Sequence, residues 1–80
     1  MAARTTTSNG PAIRAIRELS GLSIKETADL LASAGIPVTA DHLSNVELGR
    51  KGASPALVRG LADVLKVPYV ALVTATPDAA

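Results

Sequence analysis

Ser23-Ile24-Lys25-Glu26-Thr27-Ala28-Asp29-Leu30-Leu31, continued by Ser33-Ala34-Gly35-Ile36-Pro37 and then by Thr39-Ala40-Asp41-His42-Leu43-Ser44-Asn45-Val46, is the stretch on which the fold turns. Ser23 stands three residues before Glu26, the spacing of a capping box. In that arrangement the serine hydroxyl and the glutamate carboxylate each satisfy a backbone N–H that a helix's first turn leaves without a partner. A helix is therefore expected to start there, with Thr27, Ala28, Leu30 and Leu31 on its buried face. Gly35 in the C-cap region and Pro37 beyond it stop that helix. Thr39 offers a second N-cap oxygen. Behind it Leu43 and Val46, joined by Ala40 or Leu48, face inward, while Asp41, His42, Ser44 and Asn45 face out. The result is a helix, a turn longer than a minimal one, and a second helix with a polar outer face.

Upstream, Ile13, Ile16, Arg17 and Leu19 recur at helical spacing behind Pro11, a residue suited to a first turn that has no use for its N–H. That helix is expected to end near Ser20-Gly21. Residues 1–10 are small and polar, with Arg4 and the breaker Asn9-Gly10-Pro11, and are expected to form a flexible arm. Downstream, Gly49-Arg50-Lys51-Gly52-Ala53-Ser54-Pro55 is a basic loop, and Leu57, Val58, Leu61, Ala62 and Leu65 then repeat at helical spacing. Val67 to Val73 fits either a short fifth helix closing the core or an extended strand, because its β-branched content allows both. The expected organisation is an arm (1–10), one all-α domain (11–74) built as a compact four-to-five-helix bundle, and a disordered tail (75–80).

Composition agrees with one small helical core. Eighty residues suffice for a single domain. Apolar residues make up 48 % of the chain, yet Tyr69 is the sole aromatic, so the core has to be assembled from Leu, Ile, Val and Ala, which favours short packed helices. The absence of cysteine excludes a disulfide staple and a thiolate metal site, and points to a reducing interior such as the cytoplasm. No apolar run approaches the roughly 20 residues needed to span a bilayer, so no membrane partner is expected. The single His42, with no cysteine beside it, is far from the about four ligands of a zinc site, and no metal, cofactor or small-molecule ligand is expected. Asp41, His42 and Ser44 share residue types with a hydrolase triad, but neighbours on a helix point apart and no core is available to desolvate them. No phosphate loop or paired-carboxylate pattern occurs either, so an enzyme is not expected. The net charge is only +1. Any attraction to a polyanion has to come from where the charges sit.

From Ile13 to Val73 the chain resembles the helix-turn-helix family of Cro and phage repressors, also called the xenobiotic-response-element family. The resemblance is carried by Ile16-Arg17-Glu18-Leu19-Ser20-Gly21-Leu22-Ser23, by Glu26-Thr27-Ala28-Asp29-Leu30-Leu31, by Leu43-Ser44-Asn45-Val46-Glu47-Leu48-Gly49, and by Pro55 with Leu61-Ala62-Asp63-Val64-Leu65-Lys66-Val67-Pro68. Two departures stand out: family members usually have a shorter connection between the second and third helices, and often a Gln where this chain has Ile24. The resemblance implies a lambda-repressor-like fold and a sequence-specific transcriptional regulator of double-stranded DNA, a phage-type repressor or Cro-like protein that occludes a promoter. It would work in the cytoplasm of a bacterial or phage-infected cell, associated with the nucleoid.

By position in the family's motif, base contact falls to Ala40, Asp41, His42, Ser44 and Asn45. Asn45 is suited to an adenine edge, Asp41 to a cytosine amino group and Ala40 to a thymine methyl. Phosphate contact falls to Arg50 and Lys51, to the helix N-termini at Ser23 and Thr39, and to Arg14, Arg17 and, from the arm, Arg4. In the family pattern Glu47 anchors the turn internally, by hydrogen bonds or by pairing with Arg17. A homodimer on inverted half-sites is expected through the apolar Val67, Tyr69, Val70, Leu72 and Val73, which otherwise close the core of a monomer. The competing function class is a helix-turn-helix protein-interaction module, an antitoxin or adapter whose outer face binds another protein.

Overall fold

A computed structural model describes the backbone of residues 4–77 and the side chains of residues 7–74. The elements follow in the order β1 (Arg4–Ser8), α1 (Gly10–Leu19), α2 (Ile24–Ser33), α3 (Ala40–Glu47), α4 (Pro55–Leu65), a 3-10 turn (Tyr69–Leu72) and β2 (Val73–Pro77). Each α-helix begins at a side-chain cap. Asn9 Oδ1 accepts from the Ala12 amide at 3.2 Å, Ser23 Oγ from Glu26 at 3.0 Å, Thr39 Oγ1 from His42 at 3.0 Å and Ser54 Oγ from Leu57 at 3.2 Å. Pro11 and Pro55 sit in the first turns, where a missing N–H costs nothing.

The first three helices end in the same way. Gly21, Gly35 and Gly49 have φ values of +75 to +85°, and in each case the following residue's amide returns to the carbonyl five positions back: Leu22 to Arg17, Ile36 to Leu31, Arg50 to Asn45. This is the Schellman closure, which satisfies carbonyls that the helix end leaves open.

The helices enclose a core of Ile13, Leu31, Leu43, Val46, Leu57, Val58, Leu61, Ala62, Leu65 and Leu72. α1 and α2 both pack on α3, and α4 with the 3-10 turn closes the opposite side. The expected all-α bundle is present. Two apolar residues expected on buried helix faces are not in the core. Leu19 lies on the far side of α1 from Ile13 and Arg17 and is 89 % exposed, and Leu30 falls outside the arc of Thr27, Ala28 and Leu31. Of the alternatives Ala40 and Leu48, Ala40 is half-buried and Leu48, the C-cap of α3, is exposed. The long α2–α3 connection has a structural role: Ile36 and Val38 turn back and pack on the core. Gly60 of α4 makes room for them, since a Cβ there would collide with the Ile36 side chain.

The two chain ends differ from expectation. Instead of a flexible arm, Arg4–Ser8 forms a strand that pairs antiparallel with Val73–Pro77 in the register Arg4↔Pro77, Thr6↔Ala75, Ser8↔Val73. The stretch is a run of threonines, β-branched residues that suit a pleated backbone, and the Asn9 N–H extends the ladder by donating to the Leu72 carbonyl at 2.8 Å. Ala75 to Pro77, expected in a disordered tail, belong to β2, while residues 78–80 lie outside the described range. Of the two forms expected for Val67 to Val73, both occur in succession: a 3-10 turn and then a strand. Among the described residues no helix is long and apolar enough to cross a membrane.

Gly10 fixes how close α1 comes to α3. A Cβ on it would stand 2.5 Å from the carbonyl oxygens of both Val46 and Glu47, backbone atoms that cannot swing aside. Gly10→Ala is therefore expected to lower stability by about 1–3 kcal/mol despite alanine's better helix propensity, read as a loss of Tm on the order of 5–15 °C in a thermal melt.

Candidate nucleic-acid interface

α3 is fixed from behind and open in front. Leu43 and Val46 are in the core, and Glu47 is buried beside Arg17 of α1. The Arg17 Nε–H donates to Glu47 Oε2 at 2.7 Å and Nη2 to Oε1 at 3.0 Å, while Nη1 donates to the Leu22 carbonyl at 2.6 Å. The hydrogen bonds it donates to Glu47 hold the guanidinium above its already high ordinary pKa, against the opposing effect of burial. Arg17 therefore stays charged at any working pH, and its contribution is to orient α3. Its expected role at phosphate is corrected: the guanidinium fork is buried and committed to Glu47 and Leu22. The expectation that Glu47 anchors the turn internally, by pairing with Arg17, describes this geometry.

On the open side, Asp41 and His42 are exposed and Ala40, Ser44 and Asn45 are half-buried. None of the five expected base readers is drawn into the core. At the N-terminus the Thr39 hydroxyl caps His42, and the amides of Ala40 and Asp41, first in the helix, have no intrahelical acceptor. They carry the positive end of the helix dipole. At the C-terminus the Asn45 carbonyl accepts from the amides of Arg50 at 2.9 Å and Lys51 at 3.3 Å. That closure holds the backbone of Arg50 and Lys51 at the end of α3, so the five expected base readers and the two loop cations follow one another along one helix and its cap.

The remaining expected contacts are scattered. Arg14 of α1 is exposed, with a loose i,i+4 pair to Glu18 at 3.6 Å. Together with Ser44, Ile24 and Leu48 it lines a cleft of about 190 Å³ whose floor is the Arg17–Glu47 pair. Ser23 is largely occupied: its N–H donates to Glu26 Oε1 and its Oγ accepts from Glu26, both at 3.0 Å, which places a carboxylate at the very N-terminus expected to hold phosphate. Arg4 lies in β1 by its backbone, and its side chain lies outside the described range. Sequence reasoning missed Lys25, an exposed cation in the first turn of α2 that pairs only weakly with Asp29 at 3.6 Å, and the exposed Leu48 at the cleft. Lys25's place two residues after a helix cap was the available signal.

Most of the expected dimer surface is turned towards the core. Leu72 is fully buried, and Val67, Tyr69 and Val73 pack against the core, leaving Val70 as the exposed member of the five. These residues close the molecule's own core. Among the described residues no group of His, Asp or Glu is arranged to hold a metal ion.

A helix-turn-helix domain model matches residues 10–75, from the first residue of α1 into β2. The chain belongs to this helix-turn-helix domain family, the class of DNA-binding regulators. No curated protein matches it significantly.

Two outcomes are expected. Glu47→Ala strands a buried guanidinium and is expected to cost about 3–5 kcal/mol in urea unfolding, whereas replacing both partners, Arg17→Met with Glu47→Leu, is expected to cost less than that single change. The Glu26 carboxyl is held below its ordinary value of 4.5, first by the Ser23 backbone hydrogen bond and then by the Ser23 hydroxyl. A depressed folded-state value stabilises above the unfolded one and is lost as pH falls through it. The Tm difference between wild type and Glu26→Gln is thus expected to be largest near neutral pH and to close below about pH 4.

Proposed function

We propose that the chain is a sequence-specific double-stranded DNA-binding transcriptional regulator of the Cro or phage-repressor kind, which represses by occluding a promoter and carries out no catalysis. The observation that supports this best is α3 itself. Its inner side is pinned by Leu43, Val46 and the Arg17–Glu47 pair, while Asp41, His42, Ser44 and Asn45 have no such duty.

The mechanism follows from that division. α3 enters the major groove with its N-terminal end and outer face, and α2 crosses the backbone. Asn45 reads an adenine edge, Asp41 accepts from a cytosine amino group, Ser44 and His42 donate to base or phosphate acceptors, and Ala40 lies against a thymine methyl. Arg50 and Lys51 hold phosphates beside the end of α3, aided by Arg14, Thr39 and the free amides of the helix start. Lys25 joins this set from α2. Inverted half-sites call for a dimer, with the two reading helices about 34 Å apart.

The test is selection of bound sequences from a randomised duplex pool, followed by anisotropy titrations at several salt concentrations. Asn45→Ala is expected to relax one base position at a cost of about 1–3 kcal/mol. Lys51→Ala is expected to weaken all sequences alike and to lower the salt slope by about 0.9. An absence of enrichment together with no binding at low salt would refute the proposal and leave the protein-interaction module as the reading.

A further inference from the structure

The ribbon formed by β1 and β2 leaves strand-edge N–H and C=O groups turned outward. Its sheet has two strands only, and it is tied to the helices at its root, where Asn9 N–H meets the Leu72 carbonyl and the Ala53 amide donates to Ser8 Oγ at 3.1 Å. The register shows which groups are turned outward. Asn9 and Leu72 form a hydrogen-bonded pair, and in an antiparallel ladder such pairs alternate. Thr7↔Thr74 and Thr5↔Thr76 are therefore bonded across the ribbon, whereas Arg4, Thr6 and Ser8 of β1, and Val73, Ala75 and Pro77 of β2, aim their N–H and C=O groups away from it.

The two outer edges are not equivalent. The β2 edge ends in Pro77, which has no N–H to offer, a usual way of blunting an edge. The β1 edge has neither proline nor bulge. It is also symmetric about Thr6: a two-fold axis through that residue sets Thr6 against Thr6, Thr5 against Thr7 and Arg4 against Ser8. The two Arg4 positions then fall at opposite ends, about 14 Å apart along the strand.

We infer that β1 is the dimer interface: two copies of this chain join edge to edge, β1 against β1 in antiparallel register centred on Thr6, giving a four-stranded sheet in the order β2-β1-β1-β2. A two-stranded ribbon of five-residue strands is marginal on its own, and four strands remove that weakness. The contact supplies the two-fold partner surface that the buried Leu72 denies to the Val67 to Val73 segment. Strand pairing alone buries less than a standard interface, so the free protein dimerises weakly, in the micromolar range or above.

Association does not depend on DNA binding, and it is measured without DNA. Sedimentation equilibrium from about 10 μM to about 1 mM is expected to show wild type rising from the 8.1 kDa monomer towards twice that mass. Thr6→Pro removes an outward N–H and leaves the cross-ribbon bonds of Thr5 and Thr7 in place. It is expected to weaken the dimer by about tenfold or more, with an unchanged helical circular-dichroism spectrum. As a check free of any folding defect, hydrogen exchange on wild type is expected to show the Thr6 amide gaining protection as concentration rises. A wild type that stays monomeric across the range, a Thr6→Pro dimer weakened by less than about tenfold, or a Thr6 amide indifferent to concentration overturns the proposal.

Discussion

The orientation of α3 depends on an ion pair formed across 30 positions of sequence, between Arg17 of α1 and Glu47 at the end of α3. A buried pair of this kind contributes little net stability, because desolvating two charges offsets most of their attraction. Its contribution is direction. Two parallel N–H···O bonds fix distance and angle together, and the third bond, to the Leu22 carbonyl, ties the same guanidinium to the turn that launches α2. One side chain thus holds the end of α1, the approach to α2 and the end of α3. Gly10 reinforces it by letting α1 lie against the Val46 and Glu47 carbonyls, so rocking α3 would require both contacts to give way.

This frame explains which variations the fold accepts. The α2–α3 connection runs from Ala34 to Thr39, longer than is usual for the family, yet it does not disturb α3. The extra residues return Ile36 and Val38 to the core, the Gly35 closure fixes where they leave α2, and the missing side chain at Gly60 receives Ile36. The addition is absorbed on the α4 side of the domain, away from the Arg17–Glu47 pair. Ile24, standing where the family often has Gln, lines the cleft beside Ser44 and presents an apolar surface in place of an amide.

Features governed by local chemistry were legible in the sequence. The Ser23–Glu26 box, the Thr39 cap and the glycine stops need only neighbours within six residues, and the structure places each where its spacing implies. The Glu47 anchor was legible for a different reason: it belongs to a family pattern in which an acid at that position meets an arginine of the first helix. The same Arg17 was also assigned to phosphate, because a sequence shows a cation and not whether its donors are already taken. The β1–β2 ribbon was not legible, since it joins residues about 70 positions apart and a threonine run is equally at home in coil. Leu19 and Leu30 were misplaced because an apolar residue just off a helix's buried arc looks the same in a list of spacings as one on it.

The charge distribution resolves the tension between a net charge of only +1 and a partner as anionic as DNA. Arg17 and Glu47 cancel inside the domain, and Arg14 and Lys25 each lean on an acid one turn away. Among the described residues, Arg50 and Lys51 enter no ion pair and lie next to the end of α3, while Asp41 and Glu26 stand at the two helix N-termini. In the proposed mode of binding, a protein so arranged neutralises few phosphates, so counterion release supplies little of its affinity. Two acids near the groove add repulsion that only the right hydrogen-bond partners offset. Under the proposed function, discrimination rests on base-edge contacts, and affinity calls for two reading helices held on one duplex, where the second contact forms at the high effective concentration set by the first. Weak phosphate attraction and the proposed weak β1–β1 dimer are then complementary: in that arrangement neither half holds a random site, and a paired site engages both.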